Sequence, residues 1–185
     1  MSKTPSNISI RPSDESDLAP ITGIYAQAVL QGTSTFETEA PEQSEISRRR
    51  QEVLARKLPW LVAEREGAVL GYAYANCFRP RKAYRFCLED SIYLAPRVYG
   101  QGIGRLLLAE LVARCESLGA RQMLAVIGDS NNLASIGVHR SLGFEQIGLI
   151  KNAGWKFGRW LDVVMMQKEL GQGARTSPTE IETLS

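Results

Sequence analysis

Residues 87 to 105 read CLEDSIYLAPRVYGQGIGR, an apolar strand that runs into a glycine-rich turn and then a helix. Leu88, Ile92 and Leu94 alternate with polar residues, the period of a half-buried strand, and Pro96, lacking a backbone donor, ends the ladder. Gly100, Gly102 and Gly104 follow at alternate positions. Glycine leaves the backbone open to close approach, and these amides lie at the positive end of a helix starting near Ile103, which suits a phosphate group.

Around this stretch, 185 residues with 44% hydrophobic and 23% charged composition give room for one sizeable core and are short for two. A formal net charge of +2 gives no reason to expect nucleic acid, so the expected partner is a small molecule. Cys77, Cys87 and Cys115 form no CxxC pair, and their odd number is a poor disulfide framework, which points to a reducing cytoplasm. MSKTPSNIS has no apolar signal core and no segment has the apolar length to cross a bilayer, so no membrane partner is expected.

Residues 1–7 read as a flexible lead-in, 8–170 as one domain and 171–185, GQGARTSPTEIETLS, as a disordered tail without apolar periodicity. A strand over Ile8 to Arg11 precedes a helix reaching Leu30, with Ser16 as candidate cap and Leu18, Ile21, Ile24, Tyr25 and Ala28 at helical spacing. Residues 31–40 form a loop whose one large apolar residue, Phe36, reads equally as an anchor of the loop in the core. A second helix starts at Pro41 and Glu42, with Arg48, Arg49 and Arg50 read as a solvated face. Residues 60–64 and 68–75 read as a hairpin. After the basic loop FRPRKAYR and the strand above, Ile103, Leu107, Leu111, Cys115 and Leu118 share one helix face that Gly119 ends. Met123 to Ile127 is a short buried strand, Asn131 or Asn132 caps a helix reaching Ser141, and Phe144 to Ile150 and Trp160 to Met166 are the last strands, joined by NAGWKFGR.

Three phosphate-binding readings compete for YGQGIGR. A P-loop needs Gly-Lys-Ser/Thr after its gap, and a dinucleotide fingerprint needs Gly or Ala where Arg105 stands, so both fit badly. The remaining pattern resembles the coenzyme A pyrophosphate loop of the GNAT acetyltransferase superfamily. Asn132-Leu133-Ala134-Ser135 followed by His139 to Phe144 is similar to that superfamily's second signature, and TSTFETE, PWLVAE, AYRFCLEDSIYLAP, AVIG and GWKFGRWLDV resemble its phosphinothricin and methionine sulfoximine N-acetyltransferase branch. The similarity spans about Ile8 to Leu170 in order. It implies an α/β fold, a mixed and mostly antiparallel sheet of about seven strands with helices on both faces. It also implies acetyl transfer from acetyl-CoA to the amino group of a small amino-acid analogue, without a metal, in a homodimer. The pattern departs from the family at Tyr99, where Arg or Gln is usual, and His139 stands where the wider superfamily places tyrosine.

An α-amine with pKa near about 8 must lose a proton before attacking a thioester. Glu89 is the candidate base: it shares strand parity with Ser91 and Tyr93, and the resemblance puts the family's catalytic glutamate there; a structural ion pair with a nearby arginine is the competing reading. For His139, tuning Glu89, relaying a proton, protonating the departing thiolate and serving as a hydrogen-bonded core histidine all remain open. Backbone amides of Ile92, Tyr93 and Leu94 are candidates for holding the thioester oxygen. By resemblance, Gly100, Gln101, Gly102, Ile103, Gly104, Arg105 and Asn132 meet the cofactor. Cys87 has no base or orienting partner in the sequence and reads as packing. The loop residues Arg79, Arg81, Lys82 and Arg85 concentrate charge suited to carboxylate or phosphinate oxygens, and the resemblance adds Tyr84 and an apolar wall at Phe36; a solvated basic loop is the competing reading. Trp155, Phe157 and Trp160 suit pocket closure, a subunit contact or core packing equally. Alternative activities are acetylation of another small amine or a protein N-terminus, or CoA sensing without turnover, against which Glu89 argues.

Overall fold

The computed structural model describes residues 7–178. Strands β1 (Ser9–Pro12), β2 (Trp60–Arg65), β3 (Ala68–Cys77), β4 (Cys87–Leu94), β5 (Gln122–Gly128), β6 (Glu145–Lys156) and β7 (Arg159–Glu169) form one sheet in the order β1-β2-β3-β4-β5-β7-β6. Every neighbouring pair is antiparallel except β4 and β5. Helices α1 (Leu18–Gln31) and α2 (Gln43–Ala55) pack on one face, α3 (Ile103–Ser117) and α4 (Leu133–Ser141) on the other. This is the mixed, two-faced architecture the sequence implied.

Strand parity in β4 divides the core. The ring of Tyr93 meets Tyr25 of α1 edge-on at 4.9 Å, whereas Ile92 and Leu94 reach α3 at Gly104. On the α3 side Leu88, Ile103, Leu107, Leu111, Cys115 and Met123 are wholly buried; on the α1 side Ile21, Ile46, Trp60 and Tyr72 are. Burying a large aliphatic or aromatic side chain stabilises by about 1.5–3 kcal/mol, so these two layers hold the sheet from both faces.

Several local readings change. Asp14, not Ser16, caps the first turn: its carboxylate accepts from the Ser16 amide at 2.8 Å, while Asp17 reaches back to the Asp14 amide at 2.8 Å. Leu118 leaves the apolar stripe of α3, standing past the helix end and 37% exposed. Only Arg48 of the basic run is a solvated residue; Arg49 bonds Glu37 and Glu45, and Arg50 bonds Ser13. The last two strands run through NAGWKFGR rather than around it, because Phe157 and Gly158 both take positive φ (52° and 71°) and so turn the chain in two residues. Residues 171–178 turn back on the domain, where Arg121 donates to Gly173 O at 3.3 Å and Thr176 Oγ1 at 3.0 Å. The rest of the expected tail, 179–185, and residues 1–6 of the expected lead-in lie outside the described residues.

Candidate active site

Where β4 and β5 run side by side, they pair only from Cys87 with Gln122 to Asp90 with Ala125, and then part. Both strands continue, to Leu94 and Gly128, with a cavity of about 260 Å³ between them. Its walls come from both sides of the sheet: Ser34, Thr35, Phe36, Glu89, Ser91 and Tyr93 on the α1 side, and Asp90, Ile92, Asn132, Ser135 and His139 on the α4 side. It is a slot through the sheet.

Backbone alternation decides which amides face this slot. Ala95 N donates to Leu70 O at 2.9 Å and Phe78 N to Cys87 O at 3.1 Å, so the odd-numbered residues of β4 spend their peptide groups on β3. The amides of Ile92 and Leu94 therefore turn toward the parted β5. Tyr93, expected to offer an amide, offers its ring instead.

On the α1 side, Glu89 is half-buried. Burial raises its carboxyl above the ordinary range, the neighbouring charge of Asp90 adds to this, and Arg79 opposes both. Around it Trp60, Tyr72 and Tyr74 stack, and Tyr25 Oη donates to Glu37 Oε1 at 2.8 Å, itself paired with Arg49 at 2.7 Å. Cys87 sits nearby, but burial and then the charge of Glu89 push its thiol up, away from a reactive thiolate.

Phe36 lines the slot with Glu89. The loop 78–86 does not: among the residues expected to meet substrate, Arg79, Arg81, Lys82 and Tyr84 are exposed, and Arg85 folds back onto Lys82 O at 3.2 Å and over the Phe86 ring. None of these four cations pairs with an acidic side chain among the described residues. Arg79 is near enough for its charge to act on Glu89.

On the α4 side, His139 is 2% exposed and both its ring nitrogens are engaged. Nδ1 lies 2.7 Å from Ser135 O, which only accepts, so it carries a proton; Nε2 lies 3.0 Å from Asp90 Oδ1. Burial alone lowers the imidazole's pKa, but the hydrogen bond and charge of Asp90 and the Ser135 carbonyl outweigh it and hold it above the usual value. Asp90 is the residue that sequence reasoning missed. Parity put it opposite Glu89, on the face of Leu88 and Ile92, and an inward carboxylate needs a partner, which the one histidine of the chain supplies. Its second oxygen, Oδ2, is buried without a hydrogen-bond partner among the described residues.

Asn132 caps α4, accepting from the Ser135 amide at 3.2 Å. Beyond the end of β4, Gly100 and Gly102 lead into α3 with φ of 75° and 79°, in the region that favours glycine. Among the described residues no side chain caps this helix. Its first amides, from Ile103, Gly104 and Arg105, are left without helical acceptors, which fits an anionic phosphate. The Gln101 side chain is tied back, accepting from Arg65 at 3.2 Å and donating to Arg97 O at 3.1 Å, and its amide donates to Val98 O at 3.4 Å, so the residue holds the turn in shape. Tyr99 is 63% exposed.

Comparison with known proteins agrees with this geometry. The model of the acetyltransferase (GNAT) family matches residues 26–144. A phosphinothricin N-acetyltransferase of Alcaligenes faecalis is 52% identical over 169 residues, covering 91% of this chain and 86% of that protein. An L-methionine sulfoximine/L-methionine sulfone acetyltransferase of Salmonella typhimurium is 38% identical over 170 residues, covering 90% and 97%. Among solved structures, a GNAT superfamily phosphinothricin acetyltransferase from Sinorhizobium meliloti in complex with acetyl-CoA has a TM-score of 0.91 at 50% identity, covering 94% of each chain. The parted strands, the uncapped glycine-led helix and these likenesses agree: the chain belongs to the acetyltransferase (GNAT) family.

Proposed function

We propose that the protein acetylates the α-amino group of a small anionic amino acid of the phosphinothricin and methionine sulfoximine type, by direct attack within a ternary complex. The observation that carries this reading is the slot through the sheet, with a carboxylate of raised pKa on one face and an uncapped helix N-terminus beside the other. Acetyl-CoA supplies the activated acetyl thioester. The amides of Ile103, Gly104 and Arg105 would bind its pyrophosphate, with Gly100, Gln101 and Gly102 shaping the turn that presents them, and Asn132 offers its remaining amide protons to the donor.

Glu89 takes the proton from the acceptor's ammonium, a task its raised pKa suits. The amides of Ile92 and Leu94 are donors aimed at a carbonyl oxygen in the slot, a type of stabilisation worth about 2.7–4 kcal/mol per donor. His139, with both nitrogens committed, positions α4 against β4 and is not the proton source for the thiolate, whose reference pKa of about 8.5 lets it leave unaided. Arg79 and Arg81 draw the acceptor's anionic group to the slot, Lys82, Tyr84 and Arg85 of the same loop assist them, and Phe36 walls the acceptor end.

We extend the reading to a homodimer meeting on the β6–β7 hairpin, where Ile150, Trp155, Phe157 and Trp160 are 53%, 58%, 56% and 58% exposed, not core. Free Cys77, Cys87 and Cys115 suit a cytoplasmic enzyme, and residues 8–170 form the transferase domain. No helix among the described residues is long and apolar enough to cross a membrane. The deciding experiment measures thiol release from acetyl-CoA with phosphinothricin, methionine sulfoximine, methionine sulfone, simple alkylamines and an N-terminal peptide. Turnover confined to the first three supports the proposal. Turnover only with the alkylamines or the peptide, or with none of the panel, would overturn it.

A further inference from the structure

Gly154 and Lys156 are alternate residues of β6 that turn inward while Trp155 and Phe157 turn out. Both inward residues touch the loop carrying Phe36. A Cβ on Gly154 would lie 2.4 Å from Phe36 Cδ2 and 2.5 Å from Cε2, and one on Gly128 of β5 would lie 3.0 Å from Cε1. The ring thus rests directly on β6 at Gly154, where any side chain would displace it, whereas at Gly128 a Cβ would first meet Thr33 O at 2.5 Å. Lys156, 4% exposed, donates from Nζ to Gly32 O at 2.9 Å and to Thr35 O at 2.8 Å, tying the loop down on either side of Ser34. Asp129 adds a contact with Thr33 from the end of β5 and is itself bonded by Arg159 at 2.7 Å.

We propose that Gly154 and Lys156 form a seat for Phe36 that fixes how far its ring projects into the slot, and so set the size of acceptor side chain that the enzyme takes. Neither residue needs to touch the substrate. An interior at crystal-like density transmits a displaced methyl to its neighbour, and the neighbour here is the wall of the cavity. The burial of an ammonium on two backbone carbonyls points the same way, since such a lysine is placed for its hydrogen bonds and not for solubility.

The inference rests on the acetyltransferase reading, and a double-mutant cycle keeps the two separable. Gly154→Ala is made in the wild-type and in the Phe36→Ala background. In the wild-type background it is expected to lower the Tm by roughly 5 °C and raise the acceptor KM by about tenfold or more, leaving the acetyl-CoA KM within about twofold. In the Phe36→Ala background, where no ring needs lifting, both effects should vanish, and Phe36→Ala alone should shift the preference toward bulkier amino acids. Lys156→Met should raise the acceptor KM in the wild-type background only. Equal Tm losses in the two backgrounds would mean that Gly154 serves the strand and not the ring, which overturns the seat without any use of substrate. A coupled Tm with an unmoved acceptor KM and size preference overturns the specificity role. Absence of turnover by the wild type on every amine overturns the acceptor reading and leaves the Tm cycle to decide the seat.

Discussion

Glu89 and Asp90 are neighbours on one strand, carry the same functional group, and meet opposite surroundings. Glu89 turns to the α1 side, half-buried, within reach of the charge of Arg79 and with no side-chain hydrogen-bond partner among the described residues. Asp90 turns to the α4 side, 7% exposed and bonded to the buried imidazole of His139. The period of two in a strand is enough to separate a carboxylate free to trade protons from one locked in a buried pair. The parting of β4 from β5 just beyond Asp90 then puts both on the walls of one slot.

The comparison breaks first at Glu89. Glu89→Gln keeps shape and volume but cannot take a proton, so kcat should fall by about 10²–10⁴-fold with acetyl-CoA binding unchanged, measured by steady-state turnover and by titration of the cofactor. In the wild type the acid limb of kcat should titrate above the ordinary value of 4.5, since burial favours the neutral carboxyl. A variant that retains turnover would show that Glu89 is not the base.

Asp90 should answer differently. Asp90→Ala leaves a buried imidazole without its counter-charge, which costs about 3–5 kcal/mol of stability when one partner of a buried pair is removed. The pH dependence gives the sharper test. His139 in the wild type has its pKa raised above 6.5, so its contribution to stability is complete below 6.5 and is lost as the pH rises through the folded-state value. Without Asp90, burial is the larger remaining influence and lowers the pKa, so that contribution reverses and its window moves down: stability should rise with pH up to about 6.5 and then level off. Thermal melts of both proteins from pH 5.5 to 8.5 read the two slopes, and parallel slopes would remove the Asp90–His139 pair as the cause.

How much of this was legible in the sequence follows from what each signal measures. Strand parity and glycine spacing are local, so β4, the turn after it and α3 could be read directly, as could Glu89 on the opposite face from Asp90. Pairing is not local. Forty-nine residues separate Asp90 from His139, and nothing near His139 in the chain says which carboxylate it meets. Arg49 failed for the same reason: in sequence it is the middle of a basic run, and only the fold brings Glu37 to it. The 145–169 hairpin misled through composition, since NAGWKFGR has the residues of a loop and forms a long ribbon whose turn is just Phe157 and Gly158. The loop 78–86 was correctly read as cationic, but its distance from the cavity lining was not in its residues.

Smaller effects distinguish the cofactor's side from the acceptor's. Gly102→Ala adds a Cβ with no neighbouring atom within 4 Å, so its cost is that of the backbone at φ 79°, about 1–2 kcal/mol in stability, plus a weakened acetyl-CoA affinity as the first turn of α3 shifts. Gly137→Ala on α4 is the control, because it too meets nothing within 4 Å but sits in a helix, where alanine should stabilise by about 0.5–1 kcal/mol. Differential scanning fluorimetry and cofactor titration separate the two; equal effects would mean that the left-handed turn is not what shapes the cofactor site.

The smallest effect belongs to the loop 78–86, and it divides Arg79 from Arg81. An exposed charge acting on an exposed anion contributes about 0.2–1 kcal/mol, so either residue replaced by Ala should raise the acceptor KM only up to about fivefold, and less at high salt as screening weakens the attraction. Arg79 also acts on Glu89, opposing the rise of its pKa, whereas no such influence of Arg81 is seen. Arg79→Ala should therefore move the acid limb of kcat to higher pH in addition to raising KM, while Arg81→Ala should raise KM with the limb in place. A shared shift of the limb would make the two arginines one electrostatic field over the base, and an unchanged KM for both would return the loop to solvent and leave recognition of the acceptor to the walls of the slot.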